Sequence, residues 1–350
     1  MGRAGLNRKT ALATATLTLA AEAPDLDILG RFGGSAFGFN HHRGFTHSFL
    51  GIPLVAAVVV GFIYLFWRMR GRKTRNPNLP PRWGILFAYA CLAGLSHILL
   101  DLTNNYGIRP FWPFSERWYS ADLVFIVDPV LLLILTLGLI LPAFFSLINE
   151  EIGARNKGPG GFPLPQGRVA ATLALLLVFA YWGFREYEHS RAVDALEARN
   201  YQQADPLRAS AYPYWLNPFR WYGVVETTNF FATMDVDSLA PEVDPDGGMR
   251  IHYKPEETPI TLAAKKTYLG RVYLSWAQYP ITETEPLTDD PASSNRAAYV
   301  VRFRDLRYDY PGRMGRTGRD TLGGTVLLTH DLQVIEERFG LKSAATRTKE

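Results

Sequence analysis

The chain has 350 residues, a formal net charge of +4 and a mean hydropathy of −0.04, which averages two unlike halves. Long apolar runs occupy residues 49–184, whereas residues 185–350 are polar and rich in Pro, Gly, Asp and Arg. The basic residues gather in short loops beside apolar runs, which is typical of membrane topology, so nucleic-acid binding is not expected. A single cysteine, Cys91, excludes a disulfide framework and a Cys-type zinc finger.

The first predicted element is a short membrane helix over Ala11–Ala23. Basic residues precede this stretch, as they do in a secretory signal peptide, so a cleaved signal is the alternative. The stretch is rich in threonine, contains Glu22 and runs directly into Pro24-Asp25-Leu26-Asp27. These features favour a retained helix with an acidic pair at its end.

Four longer apolar runs predict transmembrane helices, because about 20 residues span a bilayer. They are Phe49–Trp67, Trp83–Leu100, Pro129–Ile148 and Val169–Phe184. With the short helix, the sequence predicts about five transmembrane helices. Loops rich in Lys and Arg alternate with loops poor in them, so the positive-inside rule places the rich loops in the cytoplasm. The other loops and the C-terminal part are then extracytoplasmic.

The predicted fold is an α-helical multi-pass membrane domain over residues 1–184, followed by a mainly β (α+β) extracytoplasmic domain over residues 205–340. Charged, helix-prone residues 185–204 predict a stalk between them, and residues 341–350 a loose tail. Runs rich in Val, Tyr, Phe and Leu and bounded by turn residues predict the strands: Arg271–Trp276, Ala298–Tyr308 and Thr325–Leu328.

Two groups of ligand-type residues are predicted at the same membrane face. His42 and His47 lie in a segment with three histidines and two hydroxyls within eight residues. Its alternative interpretation is a polar turn that caps the next helix. His97 and Asp101 are four apart and share a helix face, either to hold one ion or simply to pair with each other. Ionisable residues near a bilayer are costly and usually functional, so the convergence favours a metal site.

Three carboxylates complete the predicted site by ligating the metal or acting as a base: Asp25, Asp27 and Asp128. Their alternatives are an Asx-type turn for the first two and a helix N-cap for Asp128. Arg43 and Arg109 are predicted to bind substrate phosphate, with structural pairing to a carboxylate as the alternative.

A divalent ion held by His42, His47, His97 and Asp101 favours metal-assisted hydrolysis, with zinc first and manganese or magnesium as alternatives. The sequence contains neither a Walker-type phosphate loop nor a GxSxG elbow. A phosphoester or lipid-like substrate is expected because the site lies at the level of the head groups. One alternative is a transporter that relays protons or metal. The other is a non-catalytic envelope protein with a structural metal.

Four motifs carry a resemblance to a known family: Pro24-Asp25-Leu26-Asp27, His42-Arg43-Gly44-Phe45-Thr46-His47-Ser48, Ser96-His97-Ile98-Leu99-Leu100-Asp101 and Asp128-Pro129. Over about residues 10–150 the chain resembles bacterial membrane-bound, predicted metal-dependent hydrolases, which include LexA-regulated inner-membrane proteins. The resemblance implies a helical fold in the bacterial inner (cytoplasmic) membrane and hydrolase activity. The His/Asp pattern is also distantly similar to zinc-dependent phospholipase C and single-strand nucleases, which favours a phosphoester.

One feature departs from that family. Its members usually begin with a further helix that carries an early histidine, whereas this chain opens at Met1-Gly2-Arg3-Ala4-Gly5, which resembles the end of such a helix. A truncated start with one ligand missing is therefore an expectation for this sequence.

Overall fold

The computed structural model describes residues 1–74, 76–155, 167–287, 297–312 and 321–340. The predicted tail over residues 341–350 lies outside them. The α-helices are α1 (Ala13–Glu22), α2 (Ser35–His41), α3 (Gly51–Met69), α4 (Trp83–Thr103), α5 (Pro129–Arg155), α6 (Gly167–Glu197), α7 (Pro259–Lys266) and α8 (Tyr268–Trp276). The strands are β1 (Arg208–Pro213), β2 (Arg220–Glu226), β3 (Phe230–Asp237), β4 (Glu242–Val243), β5 (Arg250–Tyr253), β6 (Pro280–Pro286), β7 (Tyr299–Asp305), β8 (Gly324–Leu328) and β9 (Val334–Phe339). Short 3-10 segments cover Gly2–Ala4, Leu6–Arg8, Phe45–His47 and Leu306–Tyr308, and a longer one covers Ala23–Gly33.

Three of the described helices are long and apolar enough to cross a membrane: α3, α4 and α6. Helix α1 has only 10 residues, which cover about 15 Å, or half of a hydrocarbon core. The described apolar part of α5, Pro129–Phe144, is also shorter than these three. The prediction of membrane helices is confirmed, but the predicted number of five spans is not.

Helix α1 packs between α3 and α4 through small side chains. Ala13 and Ala20 of α1 are buried together with Ala56 of α3 and Ala93 of α4. Small residues let helix backbones approach closely, which favours association in lipid. The packing brings the end of α1, and the 3-10 segment that follows it, to the end of the bundle where α3 begins and α4 ends.

Helix α6 continues without a break from its apolar part into the C-terminal half, so the predicted border at residue 184 falls inside a helix. Its later residues Arg185, Glu188, Ala192 and Leu196 are buried. Ala192 and Leu196 belong to the same hydrophobic core as Trp221 of β2. Most of the predicted stalk is therefore a helix end packed against the first sheet.

The C-terminal half contains two antiparallel sheets, which confirms the prediction of a mainly β region. The first has the order β1-β2-β3-β4, with β5 also pairing with β3, and the second has the order β6-β7-β8-β9. Apart from the pairing of β5 with β3, strand neighbours follow chain order, as expected for strands joined by short connections. In the register, Trp221 lies opposite Val236 and Val301 opposite Val326, and all four side chains are buried.

The predicted strand over Arg271–Trp276 is wrong, because these residues belong to helix α8. The Thr267 side chain caps this helix by accepting a hydrogen bond from the Gly270 amide. Leu269, Tyr273 and Trp276 are buried at a spacing of four and three, which is the helical period and not the period of two that a strand requires. The aromatic composition suggested a strand, but the spacing and the cap produce a helix.

The second sheet and α8 dock directly onto the loop between α4 and α5. Arg307 donates to the Asn105 carbonyl at 2.9 Å, and Trp276 Nε1 donates to the Tyr106 carbonyl at 3.0 Å. Gln278 also donates to the Ser120 hydroxyl at 3.0 Å. The C-terminal half therefore holds the backbone of a loop that lies beside the end of α4.

Asp122 lies in the same loop, and its ionisation should make stability depend on pH. Burial raises the pKa of Asp122 to about 6 from its ordinary 3.8, against the opposing effect of the Arg307 charge. In the unfolded chain this carboxyl ionises at a lower pH than in the folded protein. The free energy of unfolding therefore decreases as pH rises from about 4 to 6. Asp122→Asn should remove this loss and stabilise the protein above pH 6, by on the order of 3 kcal/mol.

The measurement is the thermal unfolding midpoint of both proteins between pH 4 and pH 8. Asn also suits the backbone here, because Asp122 has a φ of 56°, a left-handed conformation that Asn tolerates. The exposed Asp205 provides a control, and Asp205→Asn should leave the pH profile unchanged. Equal midpoints for Asp122→Asn and the parent at pH 8 would contradict the prediction.

Candidate metal centre

The candidate metal centre lies where three segments meet at one end of the helical bundle. The 3-10 segment Ala23–Gly33 supplies Asp25 and Asp27, the turn before α3 supplies His47, and the last turns of α4 supply His97 and Asp101. Among the described residues, four have ligand atoms that all lie within 4.8 Å of one another: Asp25, His47, His97 and Asp101. The structure therefore brings one predicted base candidate, Asp25, together with three of the four predicted ligands, His47, His97 and Asp101.

The turn that presents His47 is fixed against the start of α3. Ser48 Oγ donates to the Phe45 carbonyl at 2.8 Å and accepts from the Gly51 amide at 2.9 Å. A Cβ at Gly51 would lie 1.7 Å from the Phe45 carbonyl oxygen, so only glycine allows this approach. Ser48 thus caps α3, which was the alternative interpretation for this segment, and the same turn buries His47 completely.

Five of the six distances between the four ligand atoms lie between 3.2 and 3.5 Å. Nε2 of His47 and Nε2 of His97 are 3.2 Å apart. Asp25 Oδ1 lies 3.5 Å from the first nitrogen and 3.4 Å from the second. Asp101 Oδ2 lies 3.3 Å and 3.5 Å from them. Ligands 2.0–2.1 Å from a tetrahedral zinc ion are about 3.3–3.4 Å apart, so these atoms have the spacing of a tetrahedral site.

Asp27 and Thr46 orient His47 toward the other ligands. Asp27 Oδ2 is 3.3 Å from Nδ1 of His47, and the Thr46 hydroxyl is 3.1 Å from the same nitrogen. A carboxylate only accepts hydrogen bonds, so Nδ1 keeps its proton, and Nε2 would offer its lone pair once a cation displaces the second proton. Such a carboxylate behind a histidine is the usual second partner of a metal-binding imidazole.

The other predicted ligand, His42, does not belong to the converging set. Its Nδ1 donates to Asp27 Oδ1 at 2.9 Å, and its ring lies 6.2 Å from the His47 ring, between centroids. Tyr106 packs edge-on against the other side of the same ring at 5.5 Å. Asp27 therefore bridges His42 and His47, which places a third imidazole beside those of His47 and His97.

Asp101 divides its two oxygens between an arginine and the centre. Oδ1 accepts from Arg43 Nη2 at 2.7 Å, whereas Oδ2 is buried and receives no hydrogen bond of good geometry from the described residues. A buried carboxylate oxygen without a donor is unfavourable, and two ring nitrogens surround this one. The arrangement suits a cation between these atoms.

The electrostatics of the centre favour positive charge. Burial lowers the pKa of His47, but the carboxylates of Asp101, Asp25 and Asp27 outweigh it and raise the pKa to about 10. Hydrogen bonds from His47 and His97 hold the pKa of Asp25 far below its usual range. Because the nearby carboxylates remain ionised, their negative charge would also attract a divalent cation.

The structure places three other predicted residues in supporting positions. Asp128 caps α5 by accepting from the amides of Val130 and Leu131 at 2.9 Å each, and it is not among the four converging residues. Arg43 donates to Asn104 and the Gly107 carbonyl as well as to Asp101. Arg109 donates to the Asn40 carbonyl and lies over the Trp118 ring, 4.7 Å from its centroid.

The sequence assigned no individual role in this centre to Thr46, Asn104 and Tyr106. Thr46 lies inside the histidine segment, where a threonine also suits a helix cap. Asn104 and Tyr106 belong to the loop after α4, where no spacing rule connects them with Arg43 or His42. The signals were that this loop follows Asp101 directly and that its irregular, aromatic composition suits a wall over the site.

Comparisons with known proteins agree with a membrane location. The sequence profile of the family described as YdjM inner membrane protein matches residues 1–192, which include all four converging residues. The uncharacterized protein YfhP of Bacillus subtilis (strain 168) is 28% identical over 294 residues, which are 83% of this chain and 76% of that protein. No solved structure matches the chain. The profile covers more than half of the sequence, and the chain therefore belongs to the YdjM inner membrane protein family.

Proposed function

We propose that this protein is a membrane-bound, metal-dependent hydrolase. The observation that carries the proposal is the spacing of the Asp25, His47, His97 and Asp101 ligand atoms, 3.2–3.5 Å in the five measured pairs. Two imidazoles and two carboxylates suit zinc best and also suit manganese. The site is expected at the extracytoplasmic face of the inner membrane, as the distribution of basic loops predicts.

A divalent ion in this site supplies Lewis-acid polarisation of a phosphoryl or carbonyl oxygen and acidifies a water molecule. The chain supplies the proton transfer. Because Asp27 holds the proton of His42 on Nδ1, Nε2 of His42 carries a lone pair and can accept a proton as a general base. The half-buried His42 side chain, 27% exposed, is accessible to a substrate at this position.

The experiment is hydrolysis of a soluble chromogenic phosphodiester by the detergent-purified full chain loaded with zinc or manganese. His42→Asn should keep the bound metal but lower kcat by about 10²–10⁴, the usual contribution of a general base. His41→Asn is the matched control, because the ring of this exposed neighbour contacts Phe37, through its carbonyl and its ring, and its loss should leave kcat unchanged. A metal-loaded parent protein that hydrolyses neither phosphodiesters nor phosphomonoesters would contradict the proposal.

Asp27→Asn should weaken metal binding without removing a ligand. Loss of the carboxylate behind His47 and His42 should lower the affinity for zinc about 10–100-fold, as for other outer partners of metal-binding histidines. Competition with a chromophoric chelator measures the affinity. Asp128→Asn is the control for a buried aspartate at the same end of the bundle, and we expect no change there. An equal loss of zinc affinity in both variants would indicate that Asp128 also takes part in metal binding.

Two other functions remain as alternatives. A closed site with four protein ligands would act as a structural staple, so hydrolysis requires a fifth coordination position or the release of Asp25, whose side chain is 53% exposed. A transporter would use His97 and Asp101 as a relay. Stoichiometric metal without hydrolysis would favour the staple, and the lack of bound metal would favour the transporter.

A further inference from the structure

The 3-10 segment Ala23–Gly33 separates its residues into three rows, because three residues per turn make residues i and i+3 eclipse. Pro24, Asp27 and Gly30 form the row that packs inward. Leu26, Leu29 and Phe32 form a second row whose residues are 62%, 57% and 91% exposed. We call these three residues the apolar row. Large exposed apolar patches mark surfaces that contact a partner or a membrane.

The segment that carries the apolar row packs against α3 and α4, two helices that are long and apolar enough to cross a membrane. Phe49, two residues before α3, is 52% exposed and packs against Phe111 at 5.5 Å between ring centroids. Its amide donates to the Pro110 carbonyl at 2.9 Å, which holds the 110–114 loop at the membrane end of α3. Phe114 in this loop is 85% exposed. Aromatic residues at helix ends are typical of the membrane–water interface.

The open side of the metal centre belongs to the same segment. His47 is fully buried, and the side chains of His97 and Asp101 are 16% and 14% exposed, whereas that of Asp25 is 53% exposed. Asp25 immediately precedes Leu26 in the chain. Of the four ligand residues, Asp25 is therefore the most exposed, and it belongs to the segment that carries the apolar row.

We infer that the apolar row lies in the hydrocarbon edge of the bilayer and that the centre takes its substrate from the plane of the membrane. The substrate class is then an amphiphile with a phosphate head group and acyl chains that pack along Leu26, Leu29 and Phe32. This substrate assignment rests on the proposed hydrolase function, whereas the position of the apolar row does not. The exposed Arg31, in the third row, lies at the level of anionic head groups.

The position can be measured with nitroxide labels, because Cys91 is the only cysteine of the chain. On a Cys91→Ser background, Leu29→Cys or Phe32→Cys is labelled and reconstituted in phosphatidylethanolamine and phosphatidylglycerol vesicles. The nitroxide label should collide more frequently with oxygen than with a water-soluble nickel chelate. Leu239→Cys is the matched control, since Leu239 is 61% exposed in the C-terminal half and its label should meet the chelate.

Two results would overturn the position of the apolar row. One is a Phe32 label that meets the nickel chelate as often as the Leu239 label does. The other is a label that meets neither collider and shows dipolar broadening that disappears on dilution with unlabelled protein, because a second copy of the chain would then cover the row.

The substrate class is tested separately with Leu29→Ser/Phe32→Ser. This variant should lose about tenfold or more of kcat/KM on phosphatidylglycerol in vesicles, because two apolar contacts with the lipid are lost. It should keep the metal content and the rate on a soluble phosphodiester. Equal losses on both substrates would overturn the lipid substrate. A parent protein without activity on either substrate would contradict the hydrolase function, while the label measurement would still decide the position of the apolar row.

Discussion

Replacing His47 with alanine should abolish stoichiometric metal binding. His47 is fully buried, and its Nε2 lies 3.2–3.5 Å from the ligand atoms of His97, Asp25 and Asp101. Loss of an outer partner already lowers metal affinity about 10–100-fold, so loss of a direct ligand should lower it by more than about 100-fold. Metal content of the full chain, purified in detergent with added zinc or manganese, measures the effect.

His97→Ala should give the same loss, because both imidazoles belong to one centre. His41→Ala is the control, since His41 lies on the exposed side of α2 and should leave the metal content unchanged. Circular dichroism distinguishes loss of metal from loss of fold. A folded His47→Ala protein that retains one metal per chain would disprove the centre.

Replacing Arg307 with alanine should have the largest effect on stability. Its side chain is 1% exposed and pairs at 2.8 Å with Asp305, which is itself fully buried. The guanidinium also donates to the carbonyls of Asn105 and Trp276. Breaking one side of a buried ion pair leaves an uncompensated charge and costs about 3–5 kcal/mol. The thermal midpoint, measured by near-UV circular dichroism at a fixed scan rate, should fall by about 10 °C.

Arg302 provides the matched control for this substitution. It lies in strand β7, which ends two residues before Arg307. It pairs with Glu285, but the two side chains are 43% and 57% exposed. Exposed ion pairs contribute about 0–1 kcal/mol, so Arg302→Ala should shift the midpoint by only a few degrees. Similar shifts for both variants would show that Arg307 does not carry the contact between the C-terminal half and the loop after α4.

The contacts of Arg307 connect the β region with the candidate metal centre. Arg307 donates to the Asn105 carbonyl, and Trp276 donates to the carbonyl of Tyr106, whose ring packs against His42 and lies under Arg43. Through these contacts the C-terminal half supports the loop that packs against His42 and Arg43.

The sequence determined those features that depend on local spacing and composition. Apolar length predicted α3, α4 and the first part of α6, because a bilayer requires about 20 apolar residues of any helix. The spacing of His97 and Asp101 predicted a shared helix face, and the alternation of basic loops predicted that the histidines and carboxylates meet at one membrane end. His47, His97, Asp101 and Asp25 were all named from the sequence.

The roles within that set required tertiary structure. His42 and His47 are equivalent in a sequence, but only the turn fixed by Ser48 and Gly51 aims His47 at α4, while Asp27 turns His42 aside. The sequence supported Asp128 equally as a metal ligand and as a helix N-cap. In the structure Asp128 caps α5.

The tertiary structure also decided which long-range contacts support the centre. Asn105 and Arg307 are separated by 202 positions in the chain, and no local pattern relates such residues. Local periodicity reports which face of a helix is apolar, whereas the partner of each buried charge depends on how the whole chain packs. For that physical reason the sequence predicted a candidate metal site at one end of the membrane helices. Only the fold shows which four residues converge there and which distant residues support them.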